Sequence, residues 1–170
     1  MINDNLNQIG RNKTNQPSLD VSILKRREIQ SPLLACVLAG FINEIGYDKA
    51  MEIATAAIQT DAMKAGKAIA EKYGGNTIKV LDRLLREEWA EEDALVFSIS
   101  EKTGQGLSFN VTRCRYAEMY DRLGLKEFGF YFSCNRDAAF IKGFNPCMKL
   151  LRTRTIMQGA DICDFRIVLE

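Results

Sequence analysis

The sequence predicts an α+β protein, with an N-terminal helical layer packed on a small, mostly antiparallel sheet of about four strands. Three observations predict it. Apolar residues recur at helical spacing from Ile23 to Trp89, whereas the second half breaks into short runs of strand-forming residues bounded by turn signals. Those runs are segregated from the helices rather than alternating with them, which favours antiparallel pairing over a doubly wound sheet. With 170 residues, 46% of them hydrophobic and 26% charged, the chain is long enough to bury one substantial core.

Residues 1–20 are rich in Asn and Gln, poor in apolar side chains, and read as a disordered tail. The remainder, 21–170, reads as a single domain with a helical part at 21–93 and a sheet and site part at 94–170. Ser31-Pro32 is an N-cap followed by proline at the first helical position, and Gly46 supplies the stop. Asp48 opens a longer helix with Ala50, Ile53, Ala54, Ala57 and Ile58 on one face, ending at Gly74-Gly75. Asn76 caps a third helix through Ile78, Leu81, Leu85 and Trp89. Cys36, among Leu34, Val37 and Leu38, reads as a small buried hydrophobe. Nothing in this half resembles a catalytic constellation.

Ala94–Ser100 and Gly106–Thr112 read as a hairpin around Thr103-Gly-Gln-Gly106. Two helical pieces follow, Tyr116–Leu123 and roughly Glu127–Ile141, punctuated by Gly124 and Gly143. Lys149–Ile156 and Cys163–Leu169 form a second strand pair, with Cys163, Phe165, Ile167 and Leu169 alternating onto one apolar face.

Composition narrows the function. The chain has no histidine, which excludes a triad with a histidine base and histidine-bound zinc. Its 23 basic residues balance 22 acidic ones, so no global footprint for nucleic acid or anionic membrane remains. No apolar run approaches the ~20 residues of a membrane helix, and the expected setting is cytoplasmic. The five cysteines are odd in number and widely spaced, which argues against a disulfide framework. They are core filler, metal ligands or nucleophiles.

Cys114 follows the second strand and immediately precedes a helix, flanked by Arg113 and Arg115. A helix N-terminus and neighbouring cations favour a thiolate; the plainer reading is a cysteine packed under the turn. Cys134 and Asp137 are three apart and share a helical face, suited to acid–base work or a metal, or simply to a solvated, paired aspartate. Cys163 opens the last strand on its apolar face, toward the core or a pocket beneath the sheet. In Arg152-Thr-Arg154-Thr155, strand alternation sends both arginines to one face, either to solvent or to a carboxylate at a pocket rim. Cys147 has no obvious partner.

Four stretches carry a resemblance: Asn110-Val-Thr-Arg-Cys114-Arg-Tyr-Ala-Glu-Met-Tyr-Asp-Arg-Leu-Gly124, Cys134-Asn-Arg-Asp137, Gly143-Phe-Asn-Pro146, and Arg152-Thr-Arg-Thr155-Ile-Met-Gln-Gly159-Ala-Asp-Ile-Cys163-Asp-Phe165. In that order they resemble the L-2-amino-thiazoline-4-carboxylic acid hydrolase family over residues 107–166. The resemblance implies a hydrolase that opens a cyclic isothiourea to N-carbamoyl-L-cysteine. For that reaction the sequence offers Cys114 or Cys163 as nucleophile, Asp137 as proton carrier or amidinium anchor, and a substrate-binding set of Asn110, Thr112, Cys134, Arg152, Arg154 and Thr155. The helix N-terminus and adjacent arginines put Cys114 first and Cys163 second. Cys114, Cys134, Asp137 and Cys163 are expected to converge on one pocket. The implied partner is a small-molecule substrate, not nucleic acid or membrane; no cofactor is firmly implied, a divalent metal is possible, and the oligomeric state is not legible. Gly159-x-x-x-Cys163-x-Phe165 also resembles the four-vinyl-reductase type of small-molecule-binding domain, some of which hold zinc on C-terminal cysteines. Thr155 stands where one such cysteine is expected. The alternative function is therefore a non-catalytic small-molecule or zinc-binding sensor module.

Overall fold

The computed structural model describes residues 21–170; the expected tail at 1–20 lies outside the described residues. Helices α1 (Ile23–Ile45), α2 (Tyr47–Lys72) and α3 (Ile78–Leu84) come first, and α3 runs on into a π-helical turn, Leu85–Trp89. Strands β1 (Leu95–Lys102) and β2 (Gly106–Cys114) form the hairpin. Then come α4 (Arg115–Arg122), the short α5 (Lys126–Gly129), a second π-helical turn (Phe130–Cys134) and α6 (Arg136–Phe144). Strand β3 (Met148–Leu151), a 3-10 turn (Ile156–Gln158) and β4 (Cys163–Leu169) complete the chain. The four strands lie in the order β1-β2-β4-β3, and every neighbouring pair is antiparallel. The fold is α+β.

Two apolar clusters hold the layers together. One joins Ile78, Leu81, Leu84 and Leu85 to the inward faces of β2 and β4 and to Ile141 and Phe144 of α6. Phe109 and Phe165, opposite each other across the β2–β4 ladder, stack with centroids 4.7 Å apart. The other joins Leu24, Ala35 and Leu38 of α1 and Met51 and Ile58 of α2 to Met119, Tyr120, Phe128 and Phe132.

Four sequence expectations need correction. Helix α1 does not begin at Ser31-Pro32. It begins nine residues earlier with Ser22 as N-cap, its side chain accepting from the Lys25 amide at 3.3 Å, and it carries Pro32 in its interior. An interior proline costs roughly 3 kcal/mol, which the burial of Leu24, Ser31, Ala35 and Leu38 on either side of it offsets. Ser31 Oγ donates to the Arg27 carbonyl at 2.6 Å and shares a 3.1 Å hydrogen bond with the buried Tyr120 hydroxyl, so α1 is anchored where it bypasses the proline.

The buried face of α2 is Ala50, Met51, Ile58, Ala62 and Gly66, whereas Ile53 stays 52% exposed. A close seam sets this rotation. A Cβ on Gly66 would fall 2.2 Å from the Phe140 carbonyl oxygen, and one on Gly143 would fall 2.0 Å from that of Met63. Two glycines thus let the α2 and α6 backbones touch. Cys36 is exposed rather than buried, because the buried stripe of α1 runs through Ala35 and Leu38 instead. Finally, β3 ends at Leu151. The Asp164 carboxylate accepts the amides of Thr153 at 3.0 Å and Arg154 at 2.6 Å, so these donors leave the ladder. A smaller shift is at α3, where Thr77 rather than Asn76 is the cap, accepting from the Val80 amide at 3.4 Å.

Candidate functional site

Between the helical layer and the sheet lies a cavity of about 410 Å³. Its floor is lined by Cys114, Cys134, Asp137, Arg152 and Cys163. Cys114 ends β2, and Cys163 begins β4 opposite Val111, so the two thiols enter from neighbouring strands at one end of the sheet. Cys134 closes the second π-helical turn, and Asp137 follows three residues later on the first turn of α6. Arg152, just beyond β3, donates to Asp137 Oδ2 through Nη1 and to the Cys134 carbonyl at 2.9 Å through Nη2. Its guanidinium also lies 4.9 Å from the centroid of the Phe165 ring. Both π-helical turns deliver cavity residues, Glu88 and Trp89 from the first, Ser133 and Cys134 from the second. A widened turn re-aims side chains that an α-helix would place elsewhere.

Burial dominates the electrostatics. It pushes the Cys114 thiol up to about 11, while the helix-start amides of Ala117 and Tyr116 pull in the opposite direction without forming a cap hydrogen bond. The flanking arginines do not help. Arg113 pairs with Glu118 at 2.7 Å, and Arg115 donates to the Glu92 carbonyl. Burial likewise raises Cys134, which Asp137 raises further, and Cys163, which the Ile156 amide opposes by donating to its Sγ at 3.2 Å. The resting thiols are therefore neutral. Asp137 lines the cavity with 23% of its side-chain surface accessible, too little to offset burial, which raises its pKa against the pull of Arg152. Burial works hardest against the charge of Arg152, but the attraction and hydrogen bond of Asp137, with Cys134 and Cys163 beside it, together raise its pKa. The carboxyl accepts a proton more readily than a surface aspartate does.

The walls come from residues that sequence reasoning missed. Trp89 packs edge-on to Phe140 with centroids 5.4 Å apart, and the Tyr116 hydroxyl donates to the Trp89 carbonyl at 3.4 Å. Arg27 and Gln30 of α1, Asp61 of α2 and Arg136 of α6 complete the more exposed side. The helical half, read as free of functional groups, supplies part of the cavity. One signal was available: Arg27 lies three residues from Leu24 and four from Ser31, on the buried stripe of α1, where a charge needs a reason.

The model of the L-2-amino-thiazoline-4-carboxylic acid hydrolase family matches residues 26–167. The chain belongs to this family. No protein of curated function matches the sequence. Among solved structures, the chain is similar to the phenol-responsive sensory domain of the transcription activator PoxR with phenol, at 8% identity and a TM-score of 0.49, covering 81% of this chain and 73% of that one. It is also similar to a trafficking protein particle complex subunit 3 from Naegleria fowleri covalently bound to palmitic acid, at 15% identity and a TM-score of 0.37, covering 84% and 96%. A third is an Fe(II) unliganded H-NOX protein from K. algicida, at 15% identity and a TM-score of 0.39, covering 68% and 63%. Likenesses at this level bear on neither ligand nor activity.

Four of the residues expected to bind substrate do not line the cavity. Asn110 accepts from Arg166 at 2.9 Å, and Thr112 is exposed and donates to the Val96 carbonyl at 3.3 Å. Arg154 is exposed beside Asp164, because the end of β3 at Leu151 removes the alternation that aligned it with Arg152. Thr155 is buried as the cap of the 3-10 turn, accepting from the Gln158 amide at 3.3 Å. Among the described residues no three Cys, Asp or Glu side chains gather where they could hold a metal ion. Among the described residues no helix is long and apolar enough to cross a membrane.

Proposed function

We propose that this member of the family hydrolyses a small cyclic amidine or thiazoline, such as 2-amino-thiazoline-4-carboxylate, to an N-carbamoyl amino acid by cysteine chemistry. The observation that supports it is the meeting of Cys114, Cys163, Asp137 and Arg152 in one cavity of small-molecule size. Cys114 Sγ attacks the sp² carbon held by two nitrogens and the ring sulfur, and its proton passes to Asp137. The ring C–S bond breaks, and the departing sulfur takes that proton to become a thiol. Water then adds to the enzyme-linked isothiourea, with Asp137 receiving its proton. The Cys114–carbon bond breaks, the sulfur is reprotonated, and the urea leaves. One water is consumed and no redox partner is needed.

The neutral resting thiol fits this reading. A protonated amidine entering the cavity brings the cation that favours the thiolate, so activation is coupled to substrate binding. Incubating the purified chain with 2-amino-thiazoline-4-carboxylate and following N-carbamoyl-cysteine by mass spectrometry tests it. Steady product formation that falls by at least ~100-fold in Cys114→Ser is expected for a covalent nucleophile. Tight binding of the thiazoline without product would instead favour a non-catalytic binding module.

A further inference from the structure

We propose that Arg27 of α1 and Arg136 at the start of α6 form the anion-recognition end of this cavity, and that its ligands carry a carboxylate there. The proposal deepens the hydrolase reading by naming what anchors the acid group, and it requires only that the cavity bind a small molecule.

Four arginines line the cavity, Arg26, Arg27, Arg136 and Arg152, and Arg26 is the exposed one among them. Arg152 is committed to Asp137, the Cys134 carbonyl and the Phe165 ring. Arg154, the other arginine expected to take a carboxylate, lies outside the cavity beside Asp164. Arg27 lines the cavity and pairs with no carboxylate among the described residues; its one side-chain hydrogen bond goes to Gln30 Oε1 at 3.3 Å. Arg136 is largely buried, with 14% of its side chain accessible, but its partner Asp61 is 70% accessible. An ion pair to so exposed a carboxylate holds weakly and yields to a better-placed anion. Glu88, a further carboxylate of the lining, is bonded to Lys72 at 2.6 Å. This side of the cavity therefore carries unbalanced positive charge.

Two half-buried guanidinium groups near each other are an unfavourable arrangement for the empty protein. Burial and the charge of Arg136 both lower the pKa of Arg27. A carboxylate between them relieves both effects, and each planar guanidinium presents a fork matched to its two oxygens. Asp137, the residue after Arg136, and the thiols beside it then receive the amidine. The ligand is dipolar, its acid group toward Arg27 and Arg136 and its cationic group toward Asp137 and the thiols.

Trp89 is the chain's single tryptophan and lines the cavity, so its emission reports binding. The experiment titrates the full chain with three acids, 2-amino-thiazoline-4-carboxylate, thiazole-4-carboxylate and benzoate, each beside its methyl ester. Tighter binding of every acid that binds than of its ester, by roughly 10- to 100-fold, is the expected result, as for hydrogen bonds to a charged group. The preference should shrink toward unity in Arg27→Gln and survive in Lys49→Gln, with thermal melts checking that both variants fold. The wild-type comparison of acid and ester needs no variant. Equal binding of acids and esters, no emission change with any acid, or an undiminished preference in folded Arg27→Gln would overturn the proposal. Acid preference without ring opening leaves the anion site standing and removes the hydrolase reading, so the two failures are separable.

Discussion

The floor of the cavity and the side that carries Arg27, Gln30, Asp61 and Arg136, taken as its mouth, are built on opposite electrostatic terms. At the floor, Asp137 and Arg152 close on each other, Arg152 also satisfies the Cys134 carbonyl, and three thiols are kept neutral by burial. At the mouth, Arg27 has no carboxylate among the described residues, and Arg136 leans on an exposed one. A closed network stabilises the fold and fixes side-chain positions, whereas an open one is left for a ligand to complete. The difference teaches which residues hold the site in shape and which are available to bind.

Cutting the floor should have the largest effect. Arg152→Met leaves the Asp137 carboxyl buried without its partner, and a loss of roughly 3–5 kcal/mol in denaturant unfolding is expected. Adding Asp137→Leu to that variant should recover much of the loss. At the mouth, Arg27→Met should change stability by less than about 1 kcal/mol, or raise it, because no partner is orphaned. Equal losses at both positions would erase the distinction.

The seam between α2 and α6 supports the mouth, since Asp61 precedes Met63 on one helix and Arg136 opens the other. Gly143→Ala places a methyl group 2.0 Å from the Met63 carbonyl oxygen. A loss of roughly 1–3 kcal/mol is expected from this overpacking, although alanine is the better helix former. An unchanged or higher melting temperature would contradict the close seam.

The smallest effect is read from pH. Because the folded thiol of Cys114 lies near 11, against 9.0 ordinarily, its alkylation by iodoacetamide should keep rising about tenfold per pH unit above 9. The sign for stability follows from the raised value. The contribution of the neutral buried thiol is whole below pH 9 and is lost as pH rises through about 11. A rate that levels off below pH 8 would mean that the cavity already holds a thiolate.

The floor was legible in the sequence because short-range geometry places it. The i, i+3 spacing brings Cys134 and Asp137 together, and alternation along β4 turns Cys163 inward with Phe165 and Ile167. The same alternation shows why the expected activation of Cys114 fails. At the end of an extended strand the residues on either side of an inward thiol point outward, so Arg113 and Arg115 find surface partners. The mouth was illegible for a different reason. Ser31-Pro32 is a strong local start signal, and a helix begun there omits Arg27, hiding its place on the stripe of Leu24 and Ser31. Tertiary packing extended the helix through the proline and carried Arg27 to the cavity. Arg154 and Thr155 were misplaced because the Asp164 side chain, rather than a neighbouring strand, takes the Thr153 and Arg154 amides.

The central claim, covalent ring opening at Cys114, is tested most directly by acid-quenching the reaction with 2-amino-thiazoline-4-carboxylate within the first turnovers and measuring intact protein mass. The expected result is an increase equal to one substrate molecule, mapped by proteolysis to the peptide carrying Cys114 and absent in Cys114→Ser. Turnover with no adduct on any cysteine, and at an undiminished rate in Cys114→Ser, would contradict it.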